Sequence, residues 1–505
     1  MIAIVRDYLE RMLEDNKAMK ALVLDQDTMN MVALAVSQSQ ILSKEVFLVQ
    51  TIEEAQPDQP RQSHLTAFYL LRPTEANFQR LREALAQPKF GHYFLYFTNT
   101  VAMEDMQKLA GADIHDLVRQ VYEVYLDYYP INGDLFSLEI PSLFQLLKGK
   151  SSWGPLENAL MTRQVDGLFA LLLSLRRFPL IRYQKSSDIC ALLADRLHER
   201  LRKDVELLSF CQRTAAEGPD PSTVLLVIDR REDPVTPLLH QWTYQAMLHE
   251  LVGISHNRVK PRHAGGEMRE VALNSEQDKF YADNMFQNFG DLAMNIQAYV
   301  EHYQHQKQTT SKIESIEDMK RFVETYSDYS RLAGNVSKHV ALSSELDHAV
   351  KGRQLLNVSE IEQDIACNEN RSEQYRQITE VLAGSQYDHL DKLKLVILYA
   401  LRYEGDDRIS TLKSALIEGG LQQDKTSLVD AVLRYAGTSV RSCDLFSNKN
   451  LLARAKNNVK MVLGNVPNVY TQHQPYLTTL LEQLTKGKLR EAEFPATAPY
   501  NSRER

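Results

Sequence analysis

Within the first 130 residues, Ala21–Leu24, Val46–Val49, Thr66–Leu71 and Tyr93–Phe97 read as short buried strands, alternating with helical stretches around 29–41, 74–86 and 103–110. No other feature limits the fold as much. Strands that alternate with helices are joined by right-handed crossovers, and successive crossovers give a parallel sheet. Val121–Leu126 is a fifth, weaker strand. No G-x-G-x-x-G or Walker loop follows any of these strands, so they carry no nucleotide-binding signature.

The next stretch is less regular. Leu135–Leu138 is a strand candidate, a polar break follows at Lys148–Pro155, and Leu160–Leu175 reads as a buried helix. Arg176, Arg177 and Arg182 flank Phe178–Ile181 and suit a solvated helix end, where cations complement the helix dipole. Ser187–Cys211 is amphipathic. Val224–Ile228, an unbroken run of leucine and β-branched residues, reads as a strand covered on both faces. Five charged residues, Asp229–Asp233, follow at its C-terminal end. With Pro234 and Pro237 next, they form a turn and a helix start. No histidine, Ser/Thr-Lys pair or glycine-rich loop stands beside them to complete a catalytic site.

From Trp242 onward helix dominates. Met285, Phe289, Leu292, Ile296, Val300 and Tyr303 recur at intervals of four and three, which makes one apolar seam. Ile313, Ile316, Met319, Phe322, Val323 and Tyr326 form a second seam, and Leu332, Val336, His339, Val340 and Leu346 a third. Tyr326–Ser330 is polar and turn-like, so the segment reads as a long helical hairpin. More helices follow over Leu355–Leu382, Leu393–Tyr403, Ser410–Ile417 and Ser427–Tyr435. Tyr470–Pro475 reads as a chain crossing back to the first domains, ahead of a helix bearing Leu477, Leu480, Leu481 and Leu484. His339 and His473 stand isolated, as structural residues and not ligands.

Composition narrows the function classes. The 505 residues suffice for about three domains. A net charge of -8, from 58 basic and 66 acidic residues, gives no footprint for nucleic acid. The four cysteines are too dispersed for a zinc site or a disulfide framework and fit a reducing compartment. Met1–Asp15 is an amphipathic helix and not a signal peptide. The longest apolar run, Leu168–Leu173, is far short of the roughly 20 residues that span a bilayer.

One constellation invites an enzymatic reading. Asp25 and Asp27 lie just past a buried strand, as in phosphatases of the haloacid-dehalogenase type, where one aspartate is nucleophile and the other acid. Asp406-Asp407 would then have to hold Mg²⁺. The pattern is incomplete: Met29 stands where a threonine is expected, and Asp406 follows a helical run instead of a strand. Asp25 and Asp27 fit better as a strand end that caps the next helix. The sequence therefore assigns no catalytic residue, metal ligand or cofactor, and reads as a non-enzyme.

Asp229-Arg230, Asp233-Pro234, Thr236–Leu239 and Trp242–Met247 together resemble the signature of the Sec/Munc (SM) family, cytosolic proteins that guide SNARE assembly in membrane fusion. Phe280–Met285, Val336–His339 and Tyr470–Pro475 resemble one branch of that family, and the resemblance covers the whole chain. It implies an α/β plus α fold, a three-domain arch. Domain 1, over 1–129, holds the parallel sheet; a split α/β domain 2 covers 130–241 and 466–505; a mainly helical domain 3 covers 242–465, with its hairpin near 285–350.

The implied partners are a syntaxin-type t-SNARE and the assembled SNARE bundle, with no nucleic acid. The implied state is a monomer or a heterodimer with syntaxin, cytoplasmic and peripheral on Golgi or endosomal membranes through those partners. By resemblance, the N-terminal-peptide pocket falls on Met106, Leu109, Leu117, Val118 and Val121. The syntaxin cavity includes Asp25, Met29 and Asn30, and the SNARE-binding hairpin Tyr326, Ser330, Val336 and His339. Asn30 and Ser37 stand where the neuronal branch is more basic, which implies reliance on the syntaxin N-terminal peptide. Family members also continue for several tens of residues beyond the position of Arg505, so the strand at Val224–Ile228 is expected to lack a neighbour. A generic helical scaffold is the remaining alternative, separable by whether syntaxin binds.

Overall fold

The computed structural model describes residues 1–14, 18–54, 61–142, 144–147, 150–204, 220–261, 270–310, 316–443, 445–446 and 470–497; for 144, 147, 150, 220–222, 305–310 and 316–332 it describes the backbone alone. The chain forms two compact units, Met1–Ile228 with Arg490–Arg505, and Asp229–Leu489.

In the first unit, β1 (Lys20–Leu24), β2 (Val46–Thr51), β3 (Gln62–Leu71), β4 (Phe90–Phe97) and β5 (Val118–Glu123) form a fully parallel sheet in the order β2-β1-β3-β4-β5. Helices α1 (Ile2–Glu14) and α2 (Gln26–Ala35) cover one face, and α4 (Glu75–Ala86) and α5 (Met103–Ala112) the other; the short α3 (Gln38–Ser43) leads into β2. Successive strand residues point to opposite faces. Leu22 and Leu24 join Ile2, Val5, Leu9 and Val32, while Ala21 and Val23 join Phe78, Leu81, Leu85 and Leu109. Two buried faces explain the unbroken apolar strands. The stretch expected as one helix over 29–41 divides where Ser37 accepts from Gln40 N and caps α3. The fifth strand begins three residues earlier than expected.

The rest of this unit corrects the sequence reading in two places. After α6 (Pro155–Ser174), Arg176 takes a left-handed conformation (φ 53°) and Phe178–Ile181 turns into β6 (Pro179–Tyr183), not a solvated helix end. The arginines that flank it masked a strand with Ile181 buried. Past α7 (Asp188–Lys203), β7 (Asp220–Val227) pairs with β6 in parallel, Ile181 opposite Leu225. β7 is half-buried from Thr223 to Val227 and so is not fully covered on both faces, and β6 is its one ladder neighbour among the described residues. Ala496 bridges Arg182 on the far side of β6. The strand expected at Leu135–Leu138 contracts to Phe136–Ser137, antiparallel to Tyr129–Pro130.

In the second unit, α8 (Phe289–Thr310) and α9 (Ile316–Gly352) are two long helices, but they do not divide where the sequence reading placed the turn. α9 runs through Tyr326–Ser330 without a turn. Those residues include no glycine or proline, and polarity alone does not end a helix. Met285 belongs to the end of the preceding helix, Lys279–Asn284, so the first seam is interrupted there. On α9 the buried line is Val336, His339, Leu342 and Leu346, whereas Val340 is 43 % exposed. A second core gathers α10 (Leu355–Cys367), α11 (Arg371–Ala383) and α12 (His389–Arg402) around Val235 and Leu239. No helix among the described residues is long and apolar enough to cross a membrane.

Candidate partner-binding surfaces

In a sheet of this order, the crevice beyond the carboxyl ends of β1 and β3 is where a ligand would ordinarily sit. Here the protein fills it with its own polar groups. Asp25, 4 % exposed, caps α2 and accepts from Thr28 N (2.8 Å), Thr28 Oγ1 (2.9 Å), Arg72 N (2.7 Å) and Asn77 Nδ2 (2.8 Å). Arg72 reaches Asp27 (2.6 Å) and Asp127 (3.0 Å), and Asp127 also holds Arg163 (3.2 Å). Both carboxylate oxygens of Asp25 are thus held by internal donors, which fits the helix cap the sequence favoured over a nucleophile. Asp406 is likewise spent, on Arg371 (2.5 Å) and the Tyr399 hydroxyl (2.7 Å). Of the residues expected to face a partner here, Met29 and Asn30 are half-buried and Asp25 is unavailable.

The expected peptide pocket lies at the α5–β5 edge of the sheet. The Asp113 carboxylate accepts from Leu117 N (3.0 Å) and Val118 N (2.9 Å) and so fixes the turn between the two elements. Leu109 is buried, while Leu117, Val118 and Val121 are half-buried against the same apolar cluster. Met106 is half-buried outside it. Two exposed residues that the sequence reading missed, Met103 (74 %) and Ile114 (72 %), flank α5. β5 is the last strand of the order, so among the described residues one of its backbone edges has no ladder neighbour.

Of the four hairpin positions, Val336 is buried beside the core, and the side chains of Tyr326 and Ser330 lie outside the described residues. His339 is fully buried and is not isolated. Its Nε2 meets Asp278 at 2.8 Å and its Nδ1 meets the Tyr244 hydroxyl at 2.9 Å, with Lys338 also on Asp278. Burial lowers the imidazole pKa; Asp278 opposes this and Lys338 assists it. The ring is therefore neutral, donating from Nε2 and accepting at Nδ1. This pins α9 to the helix that Asp278 caps.

The signature segment Asp229–Met247 is a set of internal ties. Glu232 accepts from Ser442 N (2.8 Å) and Cys443 N (3.0 Å), and burial with the nearby Glu232 charge pushes the Cys443 thiol up to about 12. Asp233 accepts from the Thr236 hydroxyl (2.6 Å) and Tyr476 N (2.9 Å), and Thr236 meets His473 Nε2 at 3.1 Å. Gln363 Oε1 accepts from Gln472 N (3.0 Å) and His473 N (2.8 Å). Tyr470–Pro475 thus docks within the helical unit, and His473 is part of that dock.

The residue that sequence reasoning overlooked is His240. Glu362 holds its Nδ1 (2.8 Å) and its backbone N (2.9 Å). Asp391 lies 3.3 Å from Nε2, off line for a directed hydrogen bond, and is itself gripped by Arg353. Burial disfavours the imidazolium, but the two carboxylates outweigh it and raise the pKa to about 9. Glu362 and Asp391 are fully buried. A signal was present: Glu362 sits on the apolar seam from Val358 to Ile365, and an acid there needs a partner.

These surfaces belong to a known class of protein. A family model described as the Sec1 family matches residues 20–505, and the chain belongs to that family, whose structurally known members include the SM proteins. Within the family, it is 39 % identical to vacuolar protein sorting-associated protein 45 of Dictyostelium discoideum, a match that covers 100 % of this chain and 87 % of the relative. The human protein of that name is 41 % identical, with 99 % and 86 % covered. Among solved structures, the SM protein Vps45 in complex with the Qa SNARE Tlg2 superposes with a TM-score of 0.86 at 39 % identity, covering 98 % of this chain and 87 % of that one.

Proposed function

We propose that this protein binds a syntaxin-type Qa SNARE and promotes assembly of the SNARE bundle for vesicle docking and fusion in trans-Golgi and endosomal transport. The observation that carries the reading is the similarity, over nearly the whole chain, to a protein captured with its Qa SNARE. It acts by binding and not by bond chemistry: it raises the population of an assembly-competent helical state by holding that state more tightly than its alternatives. It reaches membranes through its partners, as a cytoplasmic monomer or a heterodimer with syntaxin. The division into 1–129, 130–241 with 466–505, and 242–465 is part of the same proposal.

Two features support the placement of the sites. The α5–β5 edge offers half-buried Leu117, Val118 and Val121 beside exposed Met103 and Ile114, which suits the apolar side chains of a short peptide. The 37-residue α9 is pinned at its packed part by His339, which leaves a long helix to meet another helix. Calorimetry with a syntaxin N-terminal peptide tests the first. Leu117→Arg is expected to weaken binding at least tenfold by placing a charge against the apolar cluster. Met103→Glu, at an exposed position that cannot unfold the domain, is expected to weaken it severalfold. Unchanged affinity in both would reject the pocket, and failure of any syntaxin cytosolic domain to bind the intact protein would reject the function.

A further inference from the structure

The first unit holds an apolar cavity of about 170 Å³ on the α1–α2 face of the sheet, opposite the face that α5 covers. Its wall is Leu9 and Leu13 of α1, Leu22 of β1, Val32 and Val36 of α2 and its end, and Ile41 of α3. The gap has a local cause. α2 ends at Ala35, Val36 is extended, and the Ser37 cap starts a short helix of which no residue is buried; Ile41 is its one contribution to the apolar cluster. The mouth is polar, with Glu10, Gln40, Ser43 and Lys44. Lys44 is spent on Glu14 (2.6 Å), and the Ser43 hydroxyl donates to Gln40 O (2.7 Å). Glu10 attracts Lys44 at longer range but forms no hydrogen bond or ion pair with a described residue. Its half-buried carboxylate is therefore the uncancelled charge at the mouth. A wall of leucine, isoleucine and valine offers water no hydrogen bonds, and apolar cavities of about 150 Å³ take up benzene.

We propose that this cavity binds a small arylalkylamine: one phenyl-sized group enclosed by Leu9, Leu13, Val32 and Val36, with its ammonium carried on a short alkyl chain to Glu10. Volume sets the apolar part. About 170 Å³ holds a single ring, whereas a drug-sized molecule needs roughly 300 Å³ or more. Charge sets the other end. An ammonium donates to the free Glu10 carboxylate in a charge-assisted hydrogen bond, while an anionic ligand would face Glu10 and find Lys44 already held by Glu14. A protein segment is a poorer occupant, since it would bury only one side chain here. The site lies apart from the α5–β5 edge and does not depend on how the protein meets a SNARE.

Saturation-transfer NMR of the whole protein with 3-phenylpropylamine tests this, with 3-phenylpropanol, 3-phenylpropanoate and propylamine as comparisons. The amine is expected to saturate at roughly millimolar concentration, with transfer strongest at its ring protons. The alcohol should bind severalfold more weakly, and the acid and propylamine at least about tenfold more weakly. Glu10→Gln should lower the amine to the level of the alcohol and leave the alcohol unchanged. Glu14→Gln, which frees Lys44, should weaken the amine and strengthen the acid. Val36→Phe fills the cavity with its own ring and should remove binding of both amine and alcohol without lowering the unfolding midpoint; Glu10→Gln, at the half-buried rim, decides the matter if Val36→Phe does not fold. The proposal falls if no ring signal saturates or if the alcohol binds as tightly as the amine. It falls equally if Glu10→Gln or a folded Val36→Phe leaves the amine's affinity intact, since the attraction is then to the net charge of the chain or to another surface.

Discussion

The parallel sheet and the helical unit bury their interiors by different means. The sheet is closed by two apolar layers, one through Leu22, Leu24, Phe68 and Leu70 and the other through Val23, Tyr69 and Leu95. Its largest group of buried polar side chains gathers at one end, around Asp25, with Lys20 and Thr66 buried at the other end of β1. The helical unit threads charge through its core: Asp278 with His339 and Lys338, Glu362 and Asp391 with His240 and Arg353, and Glu232 and Asp233 with the chain near 442 and 476. Apolar layers tolerate many arrangements of similar volume. Buried ions tolerate few, because each must be met by its own partner. The difference teaches that the sheet is held by how much it buries, and the helical unit by which residue meets which.

The sharpest way to break this comparison is to remove one partner. Glu362→Ala leaves His240 charged and buried, and is expected to destabilise the helical unit by about 3–5 kcal/mol. A volume change in the sheet, Leu22→Ala, is expected to cost the first unit about 2–5 kcal/mol. Urea unfolding followed by probes in each unit would separate the two; equal effects of both changes on both transitions would erase the distinction.

A pH series sharpens it. The His240 pKa rises from 6.5 to about 9 on folding. Its stabilisation, about 3 kcal/mol, is therefore complete below pH 6.5, declines as pH rises and is gone once the folded ring deprotonates near 9. The unfolding midpoint of the helical unit should fall between pH 6.5 and 9, and His240→Gln should flatten that slope. A slope that survives the substitution would place the titrating group elsewhere.

Smaller effects test the polar end of the sheet and the helix surface. Asp25→Asn keeps the shape but not the acceptor pair, and should cost about 1–3 kcal/mol without creating or abolishing any phosphatase activity. Loss of a Mg²⁺-dependent activity in that variant would restore the enzymatic reading. Val340→Ser, on the exposed side of α9, should shift stability by less than about 0.5 kcal/mol. A larger loss would mean that Val340 is covered.

How much of this was legible follows from the same contrast. The strands of the sheet were readable because unbroken apolar runs have few other uses. β6 was not, because arginines on both sides of Phe178–Ile181 matched a helix end equally well. α9 was broken in the reading at Tyr326–Ser330 because polarity alone was read as a turn, although no glycine or proline stands there to end the helix. In the helical unit, His339 and His473 looked isolated because their partners, Asp278 and Thr236, lie 61 and 237 residues away. Pairings at that distance leave no periodic trace. The α5–β5 residues came from family resemblance, and their half-burial could not be read from spacing.

The hydrogen bond from Tyr476 N to Asp233 spans 243 residues of chain. Because synthesis runs from the N-terminus, its timing is fixed. The first five strands leave the ribosome early and can pair at once, and Asp233 can accept from Thr236 as soon as both are made; its bond from Tyr476 N, and those of Gln363 from Gln472 N and His473 N, wait until residues 472–476 emerge. Until then the signature segment is an unlatched surface, and β6 has yet to receive Ala496. A nascent chain is thus committed early in its sheet and late in its helices. Chaperones would be needed mainly during that second interval, and ribosome-stalled chains ending before and after residue 476 should differ most in protease resistance within 229–442.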